Sequence, residues 1–290
     1  MQGWTSNAIL ALAWALVPVL ALGFAGTEIV AACEKLPLAL RLVLPVAFGV
    51  PYVLAVPASV RGSWLVLYLG LPILIAVLLW HARQSDPQQQ GDWRDFVILL
   101  LLGLAVDMRW FEPAWPAQLR VINKLILLDS GLYGFLVMRR LTNVGFDLGI
   151  RLHDVMTGLR ELLFYAPLAV PLGLWLGFLH FRPHVPHLGA AVVTWLVTFF
   201  GVAIPEEVYF RGWMQNLIER SLGRRSALVL TAMIFGISHF NRLSIHFSWR
   251  YVLLATIAGI FYGRAWRQRQ RVAASAITHS CVDTIWSLWL

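Results

Sequence analysis

Charge is scarce in this 290-residue chain: Asp, Glu, Lys and Arg make up 13% of it, against 59% hydrophobic residues. With a mean hydropathy of +0.70, that shortage excludes an ordinary soluble globular domain. Acidic residues are the scarcer kind, 15 against 23 Lys and Arg, leaving a formal net charge of +8. In a soluble protein such an excess suggests nucleic acid. Here the basic residues cluster between apolar runs, where they set orientation against the cytoplasm and anionic lipid, so no nucleic-acid partner is expected. Cysteine is nearly absent: Cys33 and Cys281 lie in or beside apolar segments, which excludes a disulfide framework. Short alternating segments of the kind that build transmembrane barrels are missing. The first apolar stretch has no basic leader, so no cleavable signal peptide is expected. No internal repeat stands out.

What is present is a succession of apolar segments, at roughly 8–32, 38–60, 63–82, 95–110, 121–138, 162–180, 188–218, 226–241, 249–264 and 273–290. Most approach the ~20 residues that cross a bilayer as a helix. The fold class expected is all-α: a polytopic membrane protein of about eight to ten transmembrane helices. Loops after odd-numbered segments hold 16 of the Lys and Arg residues and the others hold seven, including Arg242, which places the odd loops in the cytoplasm. Residues 142–160 mix Asp147, Arg151, His153, Asp154 and Arg160 with apolar residues, a pattern that fits an interfacial helix, with a solvated loop as the alternative. Two parts are expected: N-terminal helices over 1–160, without an assigned role, and a C-terminal core over 161–290.

That core contains Pro205-Glu206-Glu207-Val208-Tyr209-Phe210-Arg211, two carboxylates and a guanidinium between apolar runs. Ionisable groups at bilayer depth cost at least a few kcal/mol each, by about 2.5–3.5 on insertion scales, so they mark function more often than accident. In a helix Glu207 and Arg211 share a face at i and i+4 and can pair, while Glu206 points about 100° away. A purely structural ion pair is the bland reading of this stretch. Downstream, His239 closes Phe235-Gly236-Ile237-Ser238-His239, and the last segment sets His279 and Asp283 at i and i+4. His239 alone reads equally well as a packed histidine. Glu206 and His239 lie at similar chain distances on either side of the basic turn Ser221–Arg225, about 25 Å along antiparallel helices at 1.5 Å per residue. His279, about 12 Å past Arg271 by the same rise, is shallower but compatible with a tilted span. A buried carboxylate beside two imidazoles could act as a base near neutrality.

Glu206-Glu207-x-x-x-Arg211, Phe235-x-x-x-His239 and His279-x-x-x-Asp283, in order on successive apolar segments, resemble the CPBP family. These intramembrane proteases include the type II CAAX prenyl endopeptidases and the bacterial Abi proteins. The resemblance covers roughly residues 190–290. It implies a helical catalytic core acting on a membrane-anchored or lipidated peptide or protein, in an integral membrane protein of a bacterial inner membrane. It further implies that Glu206 activates a water with help from His239, and that His279 and Asp283 occupy the oxyanion positions, with Glu207 and Arg211 in support. The last position is often Asn in the family, and an ionised Asp283 would repel an oxyanion unless protonated or used to orient His279.

No His-Glu-x-x-His occurs, so the usual helix-borne zinc motif is missing. Glu206, His239 and His279 could supply three ligands of a catalytic zinc. The metal-free, glutamate-type version is preferred, with no cofactor expected. His180, His184 and His187 have ligand-like spacing, but Pro183 and Pro186 make that stretch read as an outer loop. Two other classes stay open. A non-catalytic adaptor or bacteriocin-immunity protein would keep the fold, although none of Glu206, His239 and His279 is missing. A proton-coupled transporter would also use buried carboxylates and histidines, although inverted repeats are absent.

Overall fold

The computed structural model describes residues 5–182, 187–240 and 248–290, and no strand occurs among them. His184 and Arg242 lie outside the described residues. Each of the ten apolar segments is helical: α1 Ser6–Glu34, α2 Leu38–Ala55, α3 Trp64–Ser85, α4 Trp93–Asp107, α5 Ala117–Met138, α6 Leu152–Trp175, α7 Leu188–Leu222, α8 Arg224–Ile237, α9 Trp249–Arg269 and α10 Val272–Trp289. The protein is a polytopic helical membrane protein. Among the described residues α1, α2, α3, α5, α6 and α7 are long and apolar enough to cross a bilayer. At 15 and 14 residues, α4 and α8 are shorter than a full crossing needs. Arginines in α9 and the polar residues His279 and Asp283 in α10 lower the apolar character of those two.

The chain divides into two compact units, 1–142 and 143–290, so the boundary expected at 160 falls inside α6. In the first unit, α4 starts at a reciprocal cap: Asp92 accepts from the Arg94 backbone N–H at 2.9 Å, and Asp95 accepts from that of Asp92 at 3.0 Å. Asp95 also takes the buried Arg139 guanidinium at 2.8 Å, and Arg139 binds Asp86 at 2.6 Å. The 86–92 loop is thereby tied to the end of α5.

In the second unit, residues 143–151 are irregular and α6 begins at Leu152, so the segment 142–160 forms no separate helix and only its second half is helical, as the start of α6. Tertiary contacts outweigh the local pattern there. Arg271, between α9 and α10, draws the segment in by binding Asp154 at 2.8 Å, Asp147 at 2.8 Å and the Gly149 carbonyl at 2.8 Å. Gly145 has φ +73, and its carbonyl accepts from the Val272 N–H at 2.9 Å, with its Cα so close to Gln270 that any side chain would collide. Further along, Gly158 lets α6 approach α10, where Thr278 Oγ1 donates to its carbonyl at 3.0 Å. Close approach through small residues is how membrane helices pack without a hydrophobic drive between them.

Candidate active site

The site is assembled from α7, α8, α9 and α10. α7 contains two wide, π-type stretches, Phe199–Ala203 and Val208–Gln215, on either side of the Glu206-Glu207 pair. Pro205 cannot donate a backbone hydrogen bond one turn back, which loosens the helix at that level. Wide turns of this kind re-aim side chains and recur at functional sites. Beyond Gly223 the chain reverses into α8, and Phe210 meets Phe235 edge-on with centroids 5.0 Å apart. Those two residues lie at near-equal chain distances from Gly223, so α7 and α8 run antiparallel in the register their spacing suggested.

The two adjacent carboxylates have different surroundings. Glu207 is fully buried and held on three sides. Its Oε1 accepts from Arg211 Nη1 at 3.0 Å and from His279 Nδ1 at 2.8 Å, and its Oε2 accepts from the Ser275 hydroxyl. Arg211, also fully buried, donates onward to the Gly259 carbonyl at 3.0 Å and lies 4.6 Å from the centre of the Phe235 ring. The i and i+4 pairing read from the sequence therefore forms, in a setting where cation–π contact adds to charge–charge attraction. Glu206 faces elsewhere: its side chain keeps 17% exposure, and Oε2 lies 4.0 Å from His279 Nε2.

His279 is the hub. A carboxylate only accepts, so Nδ1 donates to Glu207, which turns Nε2 towards Glu206 and towards Asp283 Oδ2 at 3.4 Å. Tyr262 of α9 stacks on the imidazole with centroids 4.6 Å apart and an interplanar angle of 16°. His239 lies just past α8, its Nδ1 2.7 Å from the Phe235 carbonyl; that nitrogen carries a proton, which in the neutral ring leaves Nε2 as the acceptor. The Phe235 ring contacts both histidines, at 4.6 and 5.7 Å between centroids.

A cavity of about 80 Å³ opens beside this group. His239, His279 and Asp283 form its polar edge, and Tyr165, Tyr251 and Trp286 are among its aromatic walls. Glu206 does not line it, and reaches His279 from outside. The structure thus brings Glu206, Glu207, Arg211, His279 and Asp283 into one connected group, with His239 joined to it through Phe235 and the cavity. Among the described residues no three or more His, Cys, Asp or Glu side chains are grouped so as to hold a metal ion.

Ser275 and Tyr262 were not singled out from the sequence. Ser275 has a legible signal in retrospect, since Ser275, His279 and Asp283 recur every four residues on one face of α10. Tyr262 has none, being one aromatic in an apolar helix.

Residues 188–285 match a family model described as Rce1-like, type II CAAX prenyl endopeptidase. The resemblance carried by the three motifs is thereby borne out over that stretch, which is that of a CAAX-type intramembrane protease family, within the CPBP proteases. No curated protein and no solved structure matches the chain.

Proposed function

We propose, from the Rce1-like character of the stretch that carries the site, that this protein is a glutamate-type intramembrane endopeptidase. It hydrolyses a peptide bond of a membrane-anchored or lipidated peptide. One observation supports this reading most: two neighbouring carboxylates have been given opposite environments. Glu207 is neutralised by Arg211 and committed to Ser275 and His279, whereas Glu206 retains exposure and points at the same imidazole. A purely structural cluster would gain nothing from a second, partly exposed carboxylate at that depth.

In this mechanism Glu206 takes a proton from water as the water oxygen adds to the scissile carbonyl carbon. His239 Nε2, its acceptor nitrogen, helps orient that water. The carbonyl oxygen becomes an oxyanion facing His279 Nε2. Because Nδ1 already donates to Glu207, an Nε2 that also donates makes the ring cationic, and Glu207 is placed to balance that charge. Asp283, 3.4 Å from the same Nε2, holds the ring before substrate binds and gives up that contact as the oxyanion forms. Collapse of the intermediate breaks the C–N bond, and the proton held on Glu206 passes to the leaving amine. The proposed setting is a bacterial inner membrane, with the basic loops of the C-terminal half on the cytoplasmic side.

The test uses wild type and Glu206→Gln in phosphatidylethanolamine–phosphatidylglycerol liposomes with a farnesylated, fluorescence-quenched peptide. Loss of a general base costs about 10²–10⁴-fold, so Glu206→Gln should fall by at least two orders of magnitude while still folding. Equal cleavage by both proteins removes Glu206 from the mechanism. Wild-type activity should survive a strong chelator; loss restored by zinc overturns the metal-free version.

A further inference from the structure

α6 lies upstream of the stretch that matches the protease family, yet it supplies a wall of the cavity at the site. Its placement against α10 is fixed at two levels. Asp154 binds Arg271 at 2.8 Å, and the Gly158 carbonyl accepts from Thr278 at 3.0 Å. Residue numbers rise together along both helices, so α6 and α10 run parallel. Tyr165 is two turns beyond Gly158, and the same rise of about 1.5 Å per residue along α10 from Thr278 leads to the level of Ile285, about half a turn past Asp283. Tyr165 and Asp283 do line one cavity together with His279. The Tyr165 ring is braced by Phe261 of α9, edge-on at 5.7 Å.

Chemically, this position answers a difficulty inside the site. An oxyanion forming at His279 Nε2 would have the Asp283 carboxylate, 3.4 Å from the same nitrogen, as its neighbour. A phenolic hydroxyl lining the same cavity supplies what a carboxylate cannot, a neutral donor. Resting on the endopeptidase reading above, we propose that Tyr165 is a catalytic residue of this protein, its hydroxyl donating to the scissile carbonyl oxygen as it becomes an oxyanion beside His279.

The experiment compares wild type, Tyr165→Phe, Asp283→Asn and the double variant on the farnesylated quenched peptide, in the same liposomes. Removing one oxyanion donor costs about 10²–10³ in kcat, so Tyr165→Phe should lose that factor with KM nearly unchanged and its melting temperature in detergent preserved. The amide introduced by Asp283→Asn is itself a donor, so the loss on Tyr165→Phe should be at least tenfold smaller in the Asp283→Asn background. A second measurement reads binding alone: a farnesylated peptide aldehyde, which forms a tetrahedral hydrate, should stabilise wild type in a thermal-shift assay more than Tyr165→Phe. The corresponding alcohol should not distinguish them. The proposal is overturned if kcat of Tyr165→Phe stays within threefold of wild type, if only KM changes, or if the aldehyde stabilises both proteins equally. Glu206→Gln separates the two levels: an inactive Glu206→Gln beside a fully active Tyr165→Phe refutes the tyrosine and leaves the glutamate mechanism standing. Full activity in both refutes the tyrosine and the glutamate mechanism together, and no cleavage by wild type refutes the endopeptidase reading itself.

Discussion

Replacing Arg211 with Ala removes one partner of a buried ion pair and exposes how the site is held together. Three interactions disappear together: the 3.0 Å bond to Glu207, the 3.0 Å bond to the Gly259 carbonyl and the contact with the Phe235 ring. Removing one member of such a pair typically costs about 3–5 kcal/mol, because the remaining charge stays buried without compensation. Glu207 still keeps His279 and Ser275, so the lower end, about 3 kcal/mol, is expected here. For 150–250 residues a change of 1 kcal/mol shifts the melting temperature by about 2–4 °C, so Arg211→Ala should melt roughly 6–12 °C below wild type. The assay is tryptophan-fluorescence unfolding in mild detergent, with size-exclusion profiles to report folded yield. A second variant guards the reasoning: Glu207→Gln with Arg211→Met removes both charges and should recover at least half the loss, since a matched apolar pair escapes the desolvation penalty. A shift under about 2 °C for Arg211→Ala, or a double variant as unstable as the single one, would refute the argument that the pair is dry and mutually dependent.

Gly158→Ala sets two effects of opposite sign against each other. Helix propensity alone favours Ala by about 1 kcal/mol, but the added methyl would meet Ile277 Cγ2 at 2.7 Å and the Ala274 carbonyl oxygen at 2.9 Å. A lower melting temperature is expected, and a rise would show that α6 and α10 are not in close contact there. The loop carboxylate Asp86 gives a pH prediction. Burial pushes its pKa up from the ordinary 3.8, but the Gln90 and Gly91 backbone N–H groups and the Arg139 guanidinium outweigh that and hold it lower. A carboxyl depressed on folding adds stability above its ordinary pKa and loses it as pH falls through the folded value. Thermal stability should therefore hold from pH 7 to about 4 and fall below the ordinary value of 3.8, and Asp86→Asn should flatten that acid limb. An unaltered limb in Asp86→Asn would remove the loop carboxylate as its source.

The sequence by itself determined the helices and the local pairings. Apolar runs of bilayer length have one way to satisfy their backbone in lipid, so every segment read as a span is a helix. The Glu207–Arg211 pair was legible because i and i+4 are neighbours on any helix, whatever surrounds it. The order of the three motifs likewise pointed to the family without any coordinates. Tertiary structure alone decided which carboxylate is tied to the neighbouring helix. Ser275 and His279, on another helix, commit Glu207, and no spacing within α7 encodes that choice. It also decided against a helix before Leu152, because Arg271 and the close approach at Gly145 offer the 140–151 segment stronger bonds than its own amphipathic pattern could. Tyr165 comes to the cavity beside His279 only through the parallel packing of α6 and α10. A periodic pattern constrains residues one turn apart, whereas contacts between distant helices depend on which small residues let two backbones approach, and that is settled only when the whole unit packs.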